Sequence, residues 1–373
     1  AETDSPFMFL AFCFEYLEVK INGLEYCSSL PISFDGSNSG TQHFSAMLRD
    51  ELGAKTVNLS CSSIPQDIYQ IIADDIEIKL QNDLINGTEN RKELRNENDG
   101  TVFEIIKHGT KSLAKQWLDY GMNRKVTKRP VMTVVYSATQ YGFSDQLLED
   151  CVRPAIDDGS GYMFTEARQA CQYMAALIWE ACHENISAAM KVMEWLKASA
   201  KLLAKEIKVD GVITKKAAPV HWVCPDGFPV WQNYYKQRKT SILTLINGKE
   251  SRAKVSDDDT SSYNPTKQAN GVAPNFVHSM DGCHLRKTVL KANTKYNITA
   301  FSLIHDSFGT VAADAENLYH SIREAFVEMY EENDFYYQFE NQLPVELLSK
   351  MPPLPEKGNF NIKEVLKSKY CFA

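Results

Sequence analysis

Apolar residues recur at helical spacing over residues 7–20 and 315–333, and over 163–206 with few breakers, enough for two helices. Further helices are predicted over 43–52, over 64–86 with Pro65 in the first turn, over 274–291, and briefly near 361–368. Strand patterns occupy 28–36, 219–232 and 240–255. Asn247-Gly248 sits behind the run Ile242-Leu243-Thr244-Leu245-Ile246 and predicts a hairpin. Residues 299–313 predict strand, acidic turn and strand, whereas the polar stretches 87–100 and 255–270 predict loops. No internal repeat interrupts this order. Helix exceeds strand, which implies a helix-rich α+β fold.

Composition narrows the classes. The chain has 373 residues, 44% hydrophobic and 24% charged, with a formal charge of −8. This is the balance of a globular chain long enough for two or three domains. No apolar run approaches the roughly 20 residues of a membrane span. Residues 7–14 follow Glu2 and Asp4, not a basic leader, so they predict a core helix and not a secretory signal. Nine cysteines without a CxxC pair predict reduced thiols, neither a disulfide frame nor a zinc site. The acidic mean argues against a protein that coats nucleic acid non-specifically. The mean also hides a polarity. Residues 101–130 carry seven Lys/Arg against two acids, whereas 314–340 carry eight acids against one base.

Three clusters carry candidate chemistry. Asp35, in Phe34-Asp35-Gly36-Ser37, is a carboxylate at the end of an apolar strand beside bare backbone. Seen alone it serves equally as a turn cap. Asp306, in His305-Asp306-Ser307-Phe308-Gly309, occupies a hairpin turn that could equally be a solvated one. Together, two such carboxylates suit a pair of Mg²⁺ ions clamping an in-line phosphoryl transfer. Arg124, Lys128, Met132 and Tyr136 recur every four residues and so form one slowly winding helical stripe. Cations followed by Met and an aromatic suit a nucleoside triphosphate, although a solvated basic helix with core Met and Tyr would look alike. Pro130 should kink this helix. His278 stands alone on a helix face, a position that is commonly structural.

Taken together, these strings resemble the single-subunit RNA polymerases of bacteriophages and mitochondria, in particular the bacteriophage T-seven type. The resemblance spans residues 5–373. It rests on Phe34-Asp35-Gly36-Ser37, Gln42-His43-Phe44-Ser45-Ala46-Met47-Leu48-Arg49-Asp50, Val126-Thr127-Lys128-Arg129 and Pro225-Asp226-Gly227-Phe228-Pro229-Val230-Trp231-Gln232. It continues through Ala273-Pro274-Asn275-Phe276-Val277-His278-Ser279, Leu303-Ile304-His305-Asp306-Ser307-Phe308-Gly309-Thr310 and the ending Phe372-Ala373. Any one string is weak, but all of them in order are specific.

The resemblance implies a right-hand polymerase palm with an antiparallel sheet, plus helical fingers. Residues 1–55 would be the first palm part and 56–278 the fingers, with a promoter-reading hairpin at about 234–265. Residues 279–373 would be the second palm part and a carboxyl-terminal foot. Asp35, the carbonyl of Gly36, and Asp306 would hold two Mg²⁺ ions. Arg124 and Lys128 would grip the incoming triphosphate, with Lys128 also counted as catalytic. Met132, Tyr136, His278 and Tyr69 would complete the nucleotide site, Tyr136 helping to select ribonucleotides. Ser137 departs from the glycine usual in the family after the tyrosine. In the hairpin the expected reading side chains are absent, which leaves Lys249, Arg252 and Lys254 as promoter-binding candidates. The implied function is template-directed RNA synthesis from phage-type promoters, with promoter DNA, template strand, nascent RNA and NTPs as partners and no membrane. The implied location is the cytoplasm of an infected bacterial host. The family's amino-terminal domain and thumb have no counterpart here. The expectation is therefore a portion completed by a second polypeptide or a missing segment. The competing readings are a non-catalytic DNA- or partner-binding half and, within enzymes, a family A DNA polymerase. Against the DNA polymerase, residues 37–40 hold no acid and Ser307, not glutamate, follows Asp306.

Overall fold

The computed structural model describes residues 5–96, 102–331 and 334–373. It is a helix-rich α+β fold with small antiparallel sheets. The helix Pro265–Tyr296 runs through the middle of the packing. Val272, Phe276, Val277, Met280, Cys283 and Ala292 bury several of its faces, as expected of a helix enclosed by neighbours. Ser187–Leu203 and Ala315–Glu331 pack against it, as does Ser39–Leu48, in which every residue is buried. A second group of helices, Ile68–Asn86, Thr110–Tyr120, Arg124–Val134, Gln140–Leu147 and Ala167–Asn185, packs together around Ile72, Trp117, Val131 and Phe143.

One three-stranded sheet joins distant parts of the chain. Ser307–Val311 is its centre, flanked by Pro31–Asp35 and Ser302–Ile304, all antiparallel. The predicted strand at 28–36 and the strand–turn–strand at 299–313 are therefore both present, and they are partners.

Several boundaries differ from the sequence expectation. The helix predicted from 64 begins at Ile68, because the Asp67 side chain, not Pro65, caps it by accepting from Tyr69 and Gln70 N–H. The helix over 43–52 divides into Ser39–Leu48 and Glu51–Thr56, since Arg49 turns left-handed (φ 55°) and Asp50 caps the second piece. Residues 219–232 form two short strands, His221–Val223 and Pro229–Trp231, folded over a turn at Gly227 (φ 85°).

The stretch 87–100, expected as loop, contributes the strand Arg91–Asn96, paired with Val102–Lys107; residues 97–100 lie outside the described residues. Charge complementarity such as Lys92–Glu104 (2.7 Å) links the two strands of that hairpin. The stretch 255–270 likewise is not loop. The strand Lys249–Tyr263 continues through it, with Lys236 opposite Asp259 and Arg238 opposite Asp257. Asn264 then caps a helix that starts at Pro265, well before the predicted residue 274. The Asn247-Gly248 turn is as expected, both residues having positive φ (52° and 76°).

The helix Pro6–Asn22 forms as predicted, but it is not a core helix here: it has no buried residue, and Phe7 is 85% exposed. Glu2 and Asp4 lie outside the described residues. All nine cysteines are free, and among the described residues no helix is long and apolar enough to cross a membrane.

Candidate functional site

A cleft of about 760 Å³ opens where the three-stranded sheet meets the second helix group. Asp35, Gly36, Tyr69, Arg124, Lys128, Met132, Tyr136 and Asp306 all line it. Sheet register brings the two carboxylates together. Asp35 pairs with Ser307, so Asp306, the residue just before that strand, lies at the adjoining turn. The Gly36 N–H donates to the Asp306 carbonyl (3.3 Å). A Cβ on Gly36 would sit 3.1 Å from Gln42 Oε1 and 3.5 Å from Asp306 Oδ2, so a side chain there would crowd the carboxylates. His305 adopts φ 56°, which turns the chain sharply ahead of Asp306.

The carboxyl-terminal residues brace this corner. Asp35 and Ala373 exchange backbone hydrogen bonds (3.3 and 3.1 Å). The buried Arg323 guanidinium donates to the carbonyls of Ser368 and Phe372 (3.0 Å each), which holds the segment in place.

Burial first, then the charge of Asp306, raises the Asp35 carboxyl above its ordinary value; the Gly36 N–H and His305 oppose this only in part. Two hard oxygen donors that repel each other at the mouth of a cleft fit a divalent cation such as Mg²⁺, which would relieve the repulsion.

The predicted stripe faces the same space. Arg124, Lys128 and Met132 lie on one face of Arg124–Val134, and Tyr136 follows in the turn just beyond the helix end. Ser137 takes φ 68°, the left-handed region that favours glycine. Pro130 is buried within the helix. Tyr136 stacks on His278, ring centroids 4.7 Å apart and planes within 9°, which brings His278 to the site although it does not line the cleft. Burial, with the nearby Asp281 charge, pushes the Tyr136 hydroxyl up to about 12, so it stays protonated at neutral pH. Burial also lowers His278, with His305 adding to the effect and Asp281 and Asp306 opposing it.

Four further residues belong to the site. Asp67 binds Arg124 (2.5 Å) while Arg124 lies over the Tyr69 ring at 5.0 Å. Asn38 donates to the Tyr69 hydroxyl (3.3 Å). His43 and Asp281 form a buried pair at 2.9 Å. Burial alone would raise Asp281, but His43, His305 and His278 outweigh it and the carboxyl is lowered. The spacing His278-x-x-Asp281 on a helix was a usable signal for that residue.

Lys249, Arg252 and Lys254 are exposed on the strand Lys249–Tyr263, and none lines the cleft.

The family model described as "DNA-dependent RNA polymerase" matches residues 1–347. The chain is 52% identical to "T7 RNA polymerase" of Escherichia phage T7 and covers 43% of that protein, with all of this chain aligned. It is 50% identical to the "DNA-directed RNA polymerase" of Enterobacteria phage T3, again over the whole chain and 43% of the relative. It is 30% identical to the mitochondrial "DNA-directed RNA polymerase" of Mus musculus, covering 29% of it. The chain thus spans less than half the length of these relatives. With a family match over most of its length and about half its residues shared with phage polymerases, the chain belongs to the DNA-dependent RNA polymerase family.

Proposed function

We propose that this chain is the catalytic portion of a phage-type, single-subunit DNA-directed RNA polymerase. It would extend an RNA 3′-end on a DNA template by nucleotidyl transfer from NTPs, starting from phage-type promoters. The observation that carries this is the convergence of Asp35, Asp306, Arg124, Lys128 and Tyr136 on one cleft. Residues 1–55 and 279–373 would form the palm, 56–278 the fingers, and 234–265 the promoter-reading hairpin bearing Lys249, Arg252 and Lys254.

Asp35 and Asp306, with the Gly36 carbonyl, would hold two Mg²⁺ ions. Bound there, such ions lower the pKa of the attacking hydroxyl and neutralise charge on the triphosphate. Lys128 and Arg124 add positive charge along the phosphates, where charge builds as pyrophosphate leaves. Arg124 must exchange its Asp67 partner for phosphate to do so. Tyr136, held neutral and stacked on His278, presents a hydroxyl and a flat ring to the sugar and base. Catalysis then consists mostly of positioning and electrostatics.

The exposed helix Pro6–Asn22 supports a further element of the reading: it docks against another portion of the polymerase, a second polypeptide or a segment of a longer chain. Its apolar side chains are exposed among the described residues, and the relatives are more than twice as long. On this view extension needs that portion, and the chain alone binds nucleic acid. The setting would be an infected bacterial host.

Extension of a primed RNA–DNA scaffold by the chain, with and without the remaining portion of a phage polymerase, tests the proposal. The expected result is extension with rNTPs in preference to dNTPs, abolished by Asp35→Asn and by Asp306→Asn while scaffold binding persists. Near-normal extension by either variant would overturn the two-metal assignment. A preference for dNTPs would point to a DNA polymerase.

A further inference from the structure

His278, Asp281 and His305 bring three metal-binding atoms to one point beside the cleft. Nδ1 of His278 lies 3.0 Å from Nε2 of His305. Oδ2 of Asp281 lies 3.8 Å from the first and 3.9 Å from the second. The point equidistant from these three corners is about 2.1 Å from each, which matches zinc–imidazole and zinc–carboxylate bond lengths. Two imidazoles and one carboxylate suit Zn²⁺ or a similar transition-metal ion, whereas Mg²⁺ prefers oxygen donors and water.

The carboxylate is an independent sign of a missing partner. Asp281 is only 4% exposed, and its Oδ2 has no hydrogen-bond partner among the described residues. Buried polar atoms are rarely left so. The supporting contacts also have the form common around metal ligands. The other Asp281 oxygen lies 2.9 Å from His43 Nε2, and His43 Nδ1 is hydrogen-bonded to the Tyr330 hydroxyl. Nδ1 of His305 lies 3.5 Å from the Asp306 carboxylate. The His278 ring is steadied by its stack on Tyr136. Both histidines are about half exposed, so an ion has access from solvent.

We propose that His278, Asp281 and His305 bind one Zn²⁺-like transition-metal ion at a site separate from the Asp35–Asp306 pair. Binding displaces the proton that the two facing imidazole nitrogens otherwise share. Occupancy ties His278 to the His305–Asp306 turn. It therefore slows nucleotide addition, a consequence that rests on the polymerase reading, while binding itself does not.

The test is Zn²⁺ titration of the whole chain in competition with a chromophoric chelator, without nucleotide or scaffold. The expected result is one tight equivalent, weakened at least about tenfold in His278→Ala, His305→Ala and Asp281→Asn. It should be unchanged in Asp35→Asn and not displaced by excess Mg²⁺. The two histidine variants alter exposed side chains, so their result does not depend on tolerance of a buried substitution. Equal affinity in all three variants, or loss of the tight equivalent in Asp35→Asn, overturns the site. In scaffold extension with Mg²⁺ and the remaining portion of a phage polymerase, one equivalent of Zn²⁺ should slow the wild-type reaction several-fold and leave the rate of Asp281→Asn where it was without Zn²⁺. Equal slowing of both overturns the inhibitory role. If no extension occurs under any condition, the polymerase reading fails while the binding result stands by itself.

Discussion

Gly36 donates its backbone N–H to the carbonyl of Asp306 (3.3 Å), and this one bond ties the ends of two strands that are remote in sequence. It sets the Asp35 and Asp306 carboxylates at the same edge of the cleft, where neither can move away from the other without breaking the sheet. The arrangement stores repulsion, and the repulsion is measurable.

Asp35→Asn should stabilise the protein while removing activity. The folded Asp35 carboxyl has a raised pKa, so its ionised form is disfavoured relative to the unfolded chain. That penalty is fully present above the folded pKa and disappears as pH falls through it. The melting temperature of Asp35→Asn should exceed that of the wild type at pH 7, and the gap should close toward pH 4. Mg²⁺ should raise the wild-type melting temperature and have less effect on the variant. A variant less stable than the wild type at pH 7 would contradict this account.

Asp67 pairs with Arg124 and also caps the helix Ile68–Asn86. Asp67→Asn keeps a good cap but removes the charge. The partly exposed pair is worth about 0–1 kcal/mol, so the apparent KM for NTP should fall by up to about fivefold with little change in melting temperature. Asp67→Ala should release Arg124 equally and also lose about 1 kcal/mol of cap stability. Steady-state kinetics and thermal melts on the two variants separate the roles.

His284 is fully buried against Phe308, Phe326 and Phe372, and its Nε2–H donates to the Ile322 carbonyl (2.8 Å). Burial, reinforced by His43, drops its pKa to about 3 from 6.5. Below pH 6.5 the unfolded chain takes up a proton that the folded one refuses. Stability from this group is therefore lost on acidification, at about 1.4 kcal/mol per pH unit until the folded pKa is reached. Urea midpoints measured from pH 7 to pH 4 should show this fall, and His284→Gln should flatten it.

Replacing Lys249, Arg252 and Lys254 together by alanine should weaken binding to promoter DNA. The salt dependence of log K should become shallower by about 0.9 for each side chain that meets a phosphate. The hairpin touches little else, so melting temperature should not move. An unchanged salt slope would remove the arm from the DNA-binding surface.

The sequence by itself determined what is written in local pattern. The strand-end Asp35-Gly36, the His305-Asp306 turn, the Asn247-Gly248 hairpin and the helical stripe Arg124, Lys128 and Met132 occur as the spacing implied, because each depends on near neighbours, while Tyr136 falls in the turn beyond the helix. The strings that place the chain in its family are equally local. What local pattern did not reveal was pairing within polar stretches. The strand Arg91–Asn96 and the outer part of Lys249–Tyr263 lie in polar sequence and are joined to their partners by backbone pairing, with oppositely charged residues facing each other in the second. Only the tertiary structure decided which carboxylates meet. Asp35 faces Asp306 because Pro31–Asp35 pairs with Ser307–Val311, a register set by long-range packing. It also set His305 against His278 and Asp281, and left a buried carboxylate oxygen without a hydrogen-bond partner among the described residues. Such juxtapositions come from loop closure between segments apart in the chain, and local propensity carries no information about where those loops close.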